Sequence, residues 1–185
     1  MTTNNKIELM APAGNFESLQ AALDNGCDSV YFGVEQLNMR ARASVNFTMD
    51  DLAEIAKRCE AKNVRSYLTL NTIIYDHDLS VVKTLINKAK EANITAVIAS
   101  DQAVIAMARS VGMEVHISTQ LNVTNIETIK FYSLFADTMV LSRELSLRQV
   151  KKITEQIEKE QIKGPNGNLV EIEIFGHGAL CMAVS

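Results

Sequence analysis

The sequence has no tryptophan, only two prolines and only three cysteines in 185 residues. Three thiols cannot close a paired framework. Cys27, Cys59 and Cys181 lie far apart among mostly apolar neighbours, which excludes a disulfide-stapled secreted module and points to a reducing cytoplasm. With two prolines and eight glycines there is no collagen-like repeat and no Pro-rich linker. No stretch approaches the roughly 18–20 apolar residues of a membrane span. The opening MTTNNKIELM lacks the basic-then-apolar pattern of a secretory signal. An excess of positive charge is missing too: 18 Lys plus Arg stand against 22 Asp plus Glu, a formal net charge of −4. That argues against a surface that grips nucleic acid throughout, but leaves room for a local basic patch. The candidate is Asn38-Met39-Arg40-Ala41-Arg42, two arginines with no acid, readable as a solvated loop or as an anion site.

What is present is ordinary globular material, 47% hydrophobic and 22% charged. Short apolar or β-branched runs alternate with longer segments of helical period. Strands are expected at Ile7–Met10, Ser29–Phe32, Arg65–Leu70, Ala96–Ala99, Glu114–Ser118, Thr138–Leu141 and Leu169–Phe175. Between them, helices are expected at Phe16–Asn25, from an N-cap at Thr48, at Leu79–Ala92, Gln102–Val111 and Ile126–Phe135, and from Ser146 to about Glu160. Leu52, Ile55, Ala56 and Cys59 form one i, i+3, i+4, i+7 stripe. No composition shift divides the chain, so residues 1–185 read as one domain.

Repeated strand–helix–strand units imply parallel strands with right-handed crossovers. Units of about 25 residues suit a parallel (β/α)8 TIM-like barrel of roughly 250 residues. The rival, a doubly wound sheet, is disfavoured because Ala11-Pro12-Ala13-Gly14-Asn15 lacks the G-x-G-x-x-G fingerprint. An eighth strand and its helix do not fit before Ser185, so the expectation is an N-terminal barrel portion truncated after about the seventh strand.

In such a barrel the reacting groups gather at the C-terminal strand ends. Those ends carry Asn71, Ser100-Asp101, His116 through Gln120, Ser142-Arg143-Glu144 and Phe175 through Gly178. Gln120 and Asn122 can each donate and accept hydrogen bonds, which suits an uncharged polar ring. On the last strand Glu171 and Glu173 alternate with Val170, Ile172 and Ile174. Either they line a polar cavity, with Glu173 near Arg143 or His116, or they face water from an edge strand. His116 reads as a hydrogen-bonded structural histidine or as a catalytic one, and Cys27 and Cys59 as core. Cys181 follows His177 by four, but one thiol and one imidazole do not make a zinc or iron–sulfur site. Neither H-E-x-x-H nor G-x-S-x-G occurs.

Several segments together carry a resemblance. Leu9-Met10-Ala11-Pro12-Ala13-Gly14 with Gly26 through Gly33, Asn38 through Arg42 with Asn46-Phe47, His116-Ile117-Ser118-Thr119-Gln120, Leu141 through Ser146, and Glu173 through Ser185 resemble the motifs of the collagenase-like peptidase family, the thirty-second among peptidases of unassigned mechanism. The family is named for collagen degradation, yet several bacterial members are hydroxylation factors for tRNA, rRNA or ubiquinone. The resemblance implies an oxygen-independent cytoplasmic enzyme with a [4Fe-4S] cluster on four cysteines and prephenate as the oxygen source. Cys181 would be the first cluster ligand. The other three are absent before Ser185, so this chain alone is expected to bind no cluster and to lack full activity. Under that reading Arg40, Arg42 and Arg143 hold an anionic substrate or co-substrate. Gln120 and Asn122 orient the substrate, and Glu173 or Glu144 moves a proton. The alternatives are a metal-assisted peptidase using Glu173 with His116 or His177, a quinone hydroxylation factor, and a fragment that self-associates through its open barrel edge.

Overall fold

The computed structural model describes residues 7–34 and 47–177. Arg40, Arg42 and Cys181 lie outside the described residues. Although composition shows no boundary, the chain divides into two compact units, Met1–His116 and Ile117–Ser185.

In the first unit β1 (Met10–Pro12), β2 (Ser29–Gly33), β3 (Arg65–Leu70) and β4 (Ala96–Ala99) alternate with α1 (Phe16–Asp24), α2 (Leu52–Glu60), α3 (Leu79–Glu91) and α4 (Gln102–Ser110). Strand β5 (Glu114–Ile117) runs up to the unit boundary, with Glu114 to His116 in the first unit. Neighbouring strands pair in chain order and in parallel, β1 with β2, β2 with β3 and β3 with β4. Polar side chains start the helices: Asn15 accepts from Ser18 N at 2.8 Å, and Asp101 accepts from Ala103 N at 2.8 Å.

Both faces of this sheet are covered, as parallel sheets require. Val30, Leu68, Leu70, Val97 and Ala99 have no exposed surface on the face beneath the helices. The opposite face aligns Tyr31 with Tyr67 and Ala96, and Tyr67, Ala96 and Ile98 pack together with Met10. Each such large apolar side chain contributes about 1.5–3 kcal/mol on burial. Phe47 sits edge-on to Phe16 and Phe32, at 5.1 and 5.7 Å between ring centres.

In the second unit α5 (Ile126–Tyr132) leads to β6 (Thr138–Val140), and α6 (Leu147–Glu160) to β7 (Glu171–Glu173), which pairs with β6 in parallel. Ser146 and Gln149 form a reciprocal cap at the start of α6, and Ile153 and Ile157 face inward. Lys130 joins α5 to α6 by reaching Glu160 at 2.7 Å. The tight turn before β7 is held from below: Asn166 N donates to Asp137 Oδ1 at 2.9 Å, and Gly164 lies so close that a Cβ would meet Asp137 Oδ1 at 2.5 Å.

This is the parallel strand–helix alternation of a TIM-like (β/α) barrel, with seven strands among the described residues. Arg65–Leu70 and Ala96–Ala99 fall where the sequence puts them. Two strands do not. The first was expected at Ile7–Met10 and forms at Met10–Pro12, because the β2 register begins at Met10 opposite Ser29, leaving Ile7 and Leu9 exposed. Pro12 ends the strand where its missing N–H costs no ladder bond. The last was expected at Leu169–Phe175 and is only Glu171–Glu173. Leu169 is taken by an antiparallel bridge to Lys163, and Ile174 and Phe175 run past the end of β6. The helix expected to reach Phe135 stops at Tyr132, whose carbonyl accepts from both Phe135 N and Ala136 N.

Candidate functional site

Backbone hydrogen bonds gather three segments of the second unit at one place. Ser142 N donates to Val123 O at 3.0 Å, and Leu141 N donates to Glu173 O at 2.9 Å. Immediately past these bonds lies a cavity of about 410 Å³. Its polar wall is Ser142, Arg143 and His177. Its apolar wall is Leu141, Leu145, Leu147 and Val150 on one side, with Ile174 and Phe175 on the other. The Arg143 guanidinium stands over the Phe175 ring, 5.3 Å from its centre. A cation over an aromatic face is held by the ring quadrupole.

The turn after β6 has its own electrostatics. Ser142 Oγ donates to Glu144 Oε2 at 2.7 Å. That bond, with the Arg143 charge, holds the Glu144 carboxyl below its usual range, so Glu144 is a carboxylate rather than an acid at neutral pH. The preceding loop is organised by Ser118, whose hydroxyl donates to Gln120 Oε1. Asn122 ends the 3-10 turn in the left-handed region, at φ 51°, a conformation that asparagine tolerates well, and its side chain is exposed.

Of the sequence-derived candidates, the cavity lining takes Arg143 and His177 but not Gln120, Asn122, Glu144 or Glu173. Glu173 ends β7 opposite Val140, half-buried, whereas Glu171 is exposed. Phe175 as the ring beneath Arg143, and the apolar wall from α6, were not foreseen. The available signal was an Ile-Phe pair directly beyond a strand end, where a polar loop is the rule.

His116 belongs to the first unit and is only 3% exposed. Its Nε2 lies 3.1 Å from Glu114 Oε1, and its ring packs on Tyr67 at 4.6 Å. Tyr67 in turn donates to Glu8 Oε1 at 2.7 Å, and Glu8 pairs with Arg65. The hydrogen bond from His116 holds the Glu114 carboxyl below its usual range, assisted by the His116 and Arg65 charges and opposed by burial. Two polar groups, His116–Glu114 and Tyr67–Glu8–Arg65, are joined by the ring contact between His116 and Tyr67.

The described cysteines do not fit an iron–sulfur cluster. Cys27 and Cys59 are buried, and burial pushes the Cys59 thiol up to about 11, whereas cluster ligation requires thiolates. No three metal-ligating side chains come together among the described residues. Nor, among those residues, is any helix long and apolar enough to cross a membrane.

Comparison with known proteins adds a second line of evidence. The model of peptidase family U32 matches residues 14–185. A Porphyromonas gingivalis protein named collagenase is 55% identical over 181 residues, covering 98% of this chain and 44% of its own length. A Methanocaldococcus jannaschii protein named as an uncharacterized protease is 44% identical, covering 97% of this chain and 42% of its own. The Bacillus subtilis tRNA hydroxylation protein P1 is 31% identical, covering 97% and 40%. The chain therefore spans less than half the length of these curated relatives. Among solved structures, a U32 peptidase superposes with a TM-score of 0.67 at 14% identity, covering 85% of this chain and 68% of that one. The tryptophan synthase alpha chain of Legionella pneumophila gives 0.58 at 18%, covering 93% and 72%. At such identities these two carry the barrel fold alone.

Proposed function

Because this chain belongs to peptidase family U32, we propose that the intact protein is an enzyme that hydroxylates tRNA, with the strand ends around Arg143 as its reacting face. The observation that carries the reading is the Arg143–Phe175 pair in a cavity at the ends of β6 and β7. Stacked planar cations and rings are what unpaired RNA bases and their phosphates use. Arg143 holds an anionic group of the substrate, and Arg40 and Arg42 serve the same end from the basic segment. Gln120 and Asn122 orient the substrate ring. Glu144, a carboxylate at neutral pH, or Glu173 accepts the proton that leaves the reacting centre. A [4Fe-4S] cluster and prephenate belong to this reading for the intact protein. The cluster would supply electron transfer, and no step is assigned to it because the described residues do not furnish its ligands.

The test is mass spectrometry of tRNA from a strain lacking the gene. One hydroxylated nucleoside should disappear, return with the intact gene, and return at no more than about a tenth of that level with Arg143→Ala, since losing a charge-assisted contact costs at least a factor of ten. Unchanged tRNA in the deletion strain refutes the reading.

A second reading, proteolysis, is favoured by one observation: the 55%-identical relative that covers 98% of this chain is named collagenase. There Glu173 and His177 would act around a metal-bound water. Cleavage of gelatin by the purified intact protein, abolished by Glu173→Gln, supports it.

A further inference from the structure

We infer that the cavity at the ends of β6 and β7 is a nucleotide subsite, taking one base against the Arg143–Phe175 pair and its phosphate on the Arg143 guanidinium. This deepens the RNA reading above and rests on it for the polymer to which the nucleotide belongs.

Three features lead there. Arg143 is exposed, and among the described residues no carboxylate lies within ion-pair distance of its guanidinium; the adjacent Glu144 takes the Ser142 hydroxyl instead. With its central carbon 5.3 Å from the Phe175 ring centre, the exposed guanidinium has N–H groups available to an oxyanion, and its fork matches a phosphate in two places at once. The walls are the second feature. Leu147, Ile174 and Phe175 are 75%, 47% and 43% exposed and line a concavity rather than a core, beside the polar surface of Ser142, Arg143 and His177 that makes up the larger share of its wall. The apolar part suits a planar, weakly polar body and gains from covering it, as aromatic and Arg platforms do for splayed-out bases. The third is size: about 410 Å³ lies within the range of roughly 300–1,000 Å³ for small-molecule sites. A mixed wall of ring, aliphatic and polar side chains, with a cation that no carboxylate pairs among the described residues, favours a ring that carries an anion over the ring alone.

The experiment is equilibrium dialysis of the intact protein against 5′-UMP, uridine and benzoate. 5′-UMP should bind saturably, with uridine weaker by about tenfold or more. Arg143→Ala should erase that difference, Arg143→Lys should restore part of it, and Phe175→Leu should weaken 5′-UMP and uridine alike. Far-UV circular dichroism confirms that each variant is folded. Equal affinity for 5′-UMP and uridine overturns the proposal. So does saturable binding that survives both Arg143→Ala and Phe175→Leu, or the absence of 5′-UMP binding to folded wild type. Benzoate binding as tightly as 5′-UMP also overturns it and reassigns the cavity to a carboxylate. The two readings fail separately. Loss of tRNA hydroxylation on deletion, fully restored by Arg143→Ala, removes this subsite and leaves the RNA enzyme. Normal tRNA in the deletion strain, with Arg143-dependent 5′-UMP binding, removes the tRNA function and leaves the nucleotide site.

Discussion

Tyr67→Phe removes one oxygen atom from the middle of the first unit and nothing else. The ring is 1% exposed and stays packed against His116 and Ile98, so the change isolates the hydroxyl that donates to Glu8 Oε1 at 2.7 Å. A hydrogen bond to a charged acceptor contributes about 1.5–3 kcal/mol. Glu8 keeps its pairing with Arg65 and its side chain is 25% exposed, so water re-satisfies part of the lost bond. The expected destabilisation is therefore about 1–2 kcal/mol, at and just below the low end of that range. At about 2–4 °C per kcal/mol for a chain of this size, the melting temperature should fall by about 2–8 °C. Urea unfolding followed by circular dichroism measures it, and Glu8→Gln completes a double-mutant cycle. In the cycle the two changes should couple by about 1 kcal/mol, because each removes part of the same contact. A Tyr67→Phe loss below about 0.3 kcal/mol, or additive single and double changes, would refute the stabilising role given to the Tyr67–Glu8 hydrogen bond.

Two further contacts carry expected outcomes of their own. Glu114 has a folded-state pKa below its ordinary value of 4.5, so its contribution is complete above that value and disappears as pH falls through the lowered one. Stability should thus rise with pH across this acid window, and Glu114→Gln should flatten the slope in acid urea titrations; an identical slope counts against the His116–Glu114 bond. Gly164→Ala should destabilise by about 1–3 kcal/mol, as overpacking does, since its Cβ would meet Asp137 Oδ1 at 2.5 Å and the Asp137 backbone at 2.8 Å. Wild-type stability in that variant would show that the turn before β7 yields freely.

The barrel was readable because its period is repeated: short runs rich in apolar or β-branched residues alternate with i, i+3, i+4 stripes, and no single residue decides the outcome. Two interior strands, Arg65–Leu70 and Ala96–Ala99, form to the residue where the sequence puts them and the others within one residue, because nearly every position of these strands is buried on one face or the other. Terminal strands failed for the complementary reason. Ile7, Leu9, Ile174 and Phe175 are apolar but exposed, so hydrophobicity mimicked strand where the ladder has not begun, at Ile7 and Leu9, or has already ended, at Ile174 and Phe175. The same four residues show why the site was only half legible. Charged candidates such as Arg143 and Glu144 stand out by residue type, but a platform residue does not. Phe175 looks like core until the register between β6 and β7 shows that its neighbour strand stops at Val140. An apolar residue beyond the last ladder pair has lost its sheet neighbour, and in this fold the Phe175 ring is met by Arg143 and otherwise stays partly open to the cavity.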